Sequence, residues 1–142
     1  MIPQPSKSLT DLALKLATAI APETTSRFAM SNTGMISMLM LALAQDSERA
    51  VANRMADIDD MKALFQSEAA GAAPGADLRA AYCSRAPDGL LLSQMDAFHG
   101  EGFEVLIELH AWAELHDPLL DEAIWRFLRA HTERNKFELP SL

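Results

Sequence analysis

Apolar residues recur at helical spacing along nearly the whole of this chain, and that periodicity narrows the fold more than any other feature. Leu9, Leu12, Leu16 and Ile20 share one helix face. Phe28, Asn32, Met35 and Leu39 share another, flanked by Ile36 and Leu43, and Val51, Met55, Ile58, Met61 and Phe65 a third. No stretch alternates apolar and polar residues with the period of two that a half-buried strand needs. The expected fold is all-α, a compact helical bundle of about five main helices with one short extra helix.

Local signals mark the helix ends. Ser8, with Asp11 three residues on, is a capping-box-like pair for the first helix. Ala21-Pro22 stops it, because the residue before proline resists helical geometry. The second helix is expected from about Pro22. Its stripe and that of the third helix differ in phase by roughly 60° at 100° per residue. That favours a break near Gln45 to Glu48, with Asp46 or Ser47 as a cap, over one continuous helix. Ser67 to Asp77, rich in Ala, Gly and Pro, reads as a loop. A short helix follows from Asp77 and stops at Pro87 to Gly89. The fourth main helix is expected from Ser93, with Asp96 completing a second capping pair. Asp117 should cap the fifth and Pro118 open it. A connection this short makes helices four and five an antiparallel hairpin.

The segment "LIELHAWAELHDP", Leu106 to Pro118, concentrates the chemistry-bearing residues. His110 and Glu114, four apart, lie on one helix face, as metal ligands or an ion pair require. Hemerythrin-like bundles use such a pair, together with an H-x-x-x-H element that is absent here. His99 is expected to pair with Asp96 or with a residue across the hairpin, and His116 suits a last helical turn. His131 sits in an apolar stripe, as a core histidine bonded to a carbonyl or to a residue such as Asn32. At about 1.5 Å per residue from the hairpin tip, His131 lies about 8 Å along the axis from both His99 and His110. Ligands of one zinc ion, at about 2.1 Å, are not expected to span that offset. The candidate ligand or polar-core residues are therefore His99, His110, Glu114, His131 and Asn32, with the metal undetermined.

Asn32 lies on an apolar face, where a polar residue either meets a core partner or fixes helix register across an interface. Met30, Met35, Met38, Met40, Met55 and Met61 gather in helices two and three, and methionine-rich faces adapt to varied partners. Around Met38 to Leu41 the helix is apolar almost all round, which suits a central bundle helix or one shared with a second subunit. Met35, Met38 and Leu41 are the candidate interface. Cys83, between Arg79 and Arg85, is either a small buried thiol or one with a lowered pKa. No glycine-rich phosphate loop, G-x-S-x-G or C-x-x-C is present.

Composition sets the remaining expectations. The 142 residues fit a single helical domain, 1–142, and 49% apolar content is enough to build a core. A net charge of −8 opposes phosphate backbones. The basic run Arg126 to Lys136 reads as a helix end favoured by the dipole. One cysteine allows no internal disulfide, and "MIPQPSKSLT" lacks the basic start and apolar run of a signal peptide. The longest apolar run, Met35 to Ala44, falls short of the about 20 residues of a membrane span. A cytoplasmic protein without nucleic-acid or membrane partners is expected. Its leading function is non-enzymatic: a protein-interaction module that self-associates as a homodimer, with no cofactor. The alternative is a bundle binding a transition metal or small ligand through the C-terminal histidines and acids.

Overall fold

The structure is a computed structural model, and it describes residues 4–138. Among these residues there are helices and no strands, so the fold is all-α. The α-helices are α1 (Pro5–Lys15), α2 (Arg27–Phe65), α3 (Glu68–Gly71), α4 (Ala76–Cys83), α5 (Leu92–His116) and α6 (Pro118–Arg134). A π-helical turn, Leu16–Ile20, and a 3-10 turn, Ala21–Glu23, follow α1. Pro22 gives no N–H to the carbonyl four residues back, and its ring crowds that turn, so the helix widens and then ends.

The expected second and third helices are one helix of 39 residues, α2. Ser47, expected as a cap, instead bonds back to the carbonyl of Ala44 at 2.8 Å and stays within the helix. The phase change between the two stripes has another cause: they do different jobs. The chain divides into two compact units, one holding residues up to Ala50 with 137–138, the other Val51–Lys136. Helix α2 contributes to both.

In the first unit the buried positions are mostly small: Ala13, Ala21, Ala44 and Ala50, with Leu41. Small side chains let backbones approach closely, and Ser37 uses this to donate a 2.7 Å bond to the carbonyl of Ala13. The apolar stripe of Phe28 to Leu43, which the sequence left open between core and interface, is on the outside. Phe28 is 76% exposed, and Met35, Ile36, Leu39 and Leu43 are also exposed. Helix α1 starts earlier than expected, at Pro5, and Ser8 lies inside it rather than capping it.

In the second unit Ile58, Met61 and Phe65 of α2 pack with Tyr82, Met95, Phe98, Leu106, Leu120, Ile124 and Phe127. Tyr82 stacks on Phe98 at 4.6 Å and meets Phe65 edge-on at 5.7 Å. The expected loop contains α3, capped by Ser67, whose hydroxyl accepts from the Ala70 N–H. Gly75, with φ +80°, turns the chain into α4. The buried Arg79 donates to the carbonyls of Ala70, Ala73 and Pro74 and so holds this connection together. Helix α5 begins at Leu92, one residue earlier than expected, with the Gln94 side chain accepting from the Leu91 N–H. Asp117 alone joins α5 to α6 and caps α6 by accepting from the N–H groups of Leu119 and Leu120. Across this pair His110 meets Asp121 and His99 meets His131, the matching of an antiparallel hairpin.

Candidate functional site

Asp57, in the second unit, is the centre of a polar cluster of two histidines and an arginine. It stands on α2 four residues before the core residue Met61, so the helix carries it inward. Its side chain has no exposure. Oδ2 accepts from His99 Nε2 at 3.0 Å and His131 Nδ1 at 2.6 Å, while Oδ1 accepts from Arg134 Nη1 at 2.5 Å. Arg134 also binds Asp60 through its other terminal nitrogen. His99 comes from α5, and His131 and Arg134 come from α6. Burial pushes the Asp57 carboxyl up, but hydrogen bonds from His99, His131 and Arg134, with the charge of His131, outweigh it. The group is held at about 2, below the usual carboxylate range.

Aromatic rings wall the cluster. Phe103 lies 4.8 Å from the His99 ring and 5.2 Å from that of His131. Asn135 donates to the His131 carbonyl and accepts from Arg54, which in turn pairs with Asp96. Asp96, expected as a partner for His99, is thus taken by Arg54.

His99 and His131 meet despite the axial offset of their backbones. Their ring centroids are 5.9 Å apart. The offset counts Cα positions, whereas His99 reaches with Nε2, its far nitrogen, and closes the gap. His131 is not bonded to Asn32, which stands in the first unit on the exposed stripe of α2. His110 lies in a separate cluster. It bonds Asp121 at 2.9 Å, with Glu114 farther off at 3.8 Å and Trp125 edge-on to the ring. The expected His110–Glu114 pair is therefore the weaker contact. His116 bonds the Trp112 carbonyl at 2.8 Å and stacks on that indole, as a last-turn histidine does.

The five candidates thus divide into His99 with His131, His110 with Glu114, and Asn32 alone. Asp57, Arg134 and Asp121 were not among them. Asp57 belongs to an Asp-rich run, Asp57 to Asp60, that holds no motif of its own. Its only signal is the helical spacing to Met61. Among the described residues, two groups of side chains have the donors and spacing for a metal ion: Asp57, His99 and His131, and His110, Glu114 and Asp121.

The remaining candidates are plain in placement. Met35 and Met38 are exposed, while Leu41 is 9% exposed and packs inside the first unit. Burial pushes the Cys83 thiol up, outweighing Lys62 and Arg79, so it is not an activated nucleophile. In the basic run, Arg126, Arg134 and Lys136 each face a carboxylate. One described helix, α2, is long and apolar enough to cross a membrane by length and composition, with a window of mean hydropathy 1.2 that is 17% buried. No protein-family model, curated protein or solved structure matches this chain.

Proposed function

We propose that this chain is a non-enzymatic interaction module that forms a homodimer through the N-terminal half of α2. The observation carrying this reading is the exposed stripe of Phe28, Met35, Ile36, Leu39 and Leu43 on one helix face. Phe28, Asn32, Met35 and Leu39 are spaced four, three and four residues apart, the spacing of a coiled-coil seam. Asn32 takes the place of an a residue in that register. A polar residue there fixes register and pairing at a cost in stability, so the natural occupant is a second α2 with its own Asn32 opposite. Met38, at the edge of the stripe, adds an adaptable contact. Leu41 supports the helix from its buried side.

Light scattering over a range of protein concentrations tests this directly. A mass of two chains that falls on dilution is expected. A single-chain mass at every concentration overturns the reading. The same uncharged face could instead meet lipid. The helix continues into Asp46, Glu48 and Arg49, and it places Ser31, Asn32, Thr33 and Ser37 within the apolar segment, which suits protein more than hydrocarbon. Co-flotation with neutral vesicles and no dimer would replace the dimer with a membrane contact. In this reading the protein is cytoplasmic and has no nucleic-acid partner.

A further inference from the structure

We propose that Asp57, His99 and His131 form a site for one divalent transition-metal ion of the zinc class, a structural site tying α5 and α6 to the Asp57 segment of α2. Three donors from three helices converge there. Both imidazoles aim at a single carboxylate oxygen, at 3.0 and 2.6 Å. All three ligand atoms lie within 4.8 Å of one another. Around a tetrahedral ion with bonds of about 2.0–2.2 Å, ligand atoms sit about 3.3–3.6 Å apart, so each imidazole must draw back from Oδ2 by about 0.3–1 Å to admit the ion.

The donor chemistry selects the ion. Two imidazoles and one carboxylate suit zinc, iron, nickel or copper, whereas calcium and magnesium favour all-oxygen sites. Arg134 holds Oδ1, leaving Oδ2 as the single ligand oxygen and fixing the carboxylate plane, the part that outer partners play at metal centres. The charge of Arg134 works against a cation, but Asp60 on its other nitrogen offsets it. Each imidazole keeps a second nitrogen to carry its proton: Nδ1 of His99 and Nε2 of His131. Metal binding then replaces the two N–H contacts to Asp57, and a charged His131 releases one proton to solvent as its Nδ1 takes the metal. The side chains of His99 and His131 are 12% and 28% exposed, which leaves room for water as a fourth ligand.

The second group is the internal control. It offers one imidazole, and its Glu114 side chain is 57% exposed. Equilibrium dialysis against zinc, followed by metal analysis, should find one ion per chain and a raised Tm. His99→Ala and His131→Ala should each weaken binding at least about tenfold. His110→Ala should leave it unchanged. Ring-nitrogen NMR on the wild-type chain needs no variant and covers the case in which a substitution prevents folding. Zinc should move the His99 and His131 resonances and leave those of His110 and His116. A wild-type chain that retains no zinc overturns the proposal. So does zinc held equally well by the His99 and His131 variants, or resonance changes confined to His110.

Discussion

His131 Nδ1 lies 2.6 Å from Asp57 Oδ2, joining α6 to a carboxylate whose side chain is wholly buried. Asp57 also takes His99 and Arg134, so its removal strips three donors of their acceptor at once. Asp57→Ala should destabilise the fold by about 2–4 kcal/mol in urea titration. That is toward the low side of the loss for a broken buried pair, because Arg134 keeps Asp60. A loss under about 0.5 kcal/mol would show the cluster to be incidental.

Acid should act through the same carboxylate. Its folded pKa of about 2 lies below its ordinary value of 3.8. The stabilisation is therefore complete above pH 4 and disappears as the pH falls from about 4 to about 2. The shift corresponds to roughly 2 kcal/mol. Denaturant titrations at pH 5 and pH 2 should show that excess loss in the wild type and not in Asp57→Asn.

Gly102 faces Tyr82 so closely that a Cβ there would lie 2.5 Å from the phenol oxygen and 2.7 Å from Met61 Cε. Gly102→Ala should cost about 1–3 kcal/mol through overpacking. The Tyr82 hydroxyl is itself buried with no hydrogen-bond partner among the described residues. Tyr82→Phe should thus be neutral or stabilising by up to about 1 kcal/mol, and it should relieve part of the Gly102→Ala defect. Additive losses in the double variant would refute the direct clash.

Arg79 donates to three carbonyls around α3 and the turn into α4. Arg79→Met keeps the stem and removes every donor. It should cost about 2–4 kcal/mol and raise hydrogen exchange in residues 67–76 before the rest of the chain. Uniform exchange would mean the arginine does not act locally.

Charge on the exposed stripe of α2 should separate dimer from fold. Leu39→Lys should give a single-chain mass with an unchanged Tm of the dissociated chain, since Leu39 is 59% exposed. Leu41→Lys should lower that Tm instead, because Leu41 is buried. Asn32→Leu should tighten association while loosening its register, visible as masses above two chains. An undiminished dimer in Leu39→Lys would place the interface elsewhere.

The sequence by itself determined the all-α class, the Ile58, Met61 and Phe65 positions of the second unit's core, the Asp117 cap and the α5–α6 hairpin. Helical period, capping side chains and proline act within a few residues, so they are written locally. It also placed His110 and Glu114 on one face, since that follows from spacing alone. Only the tertiary structure decided which stripe is buried. Periodicity marks a face without saying what covers it, so the Phe28–Leu43 stripe fitted either a bundle core or a subunit interface, and it stands exposed. Only the tertiary structure brought Asp57 to His99 and His131, residues 42 and 74 positions away. That meeting depends on how α2, α5 and α6 pack and on how far an imidazole reaches, and neither is written in the spacing of any one helix.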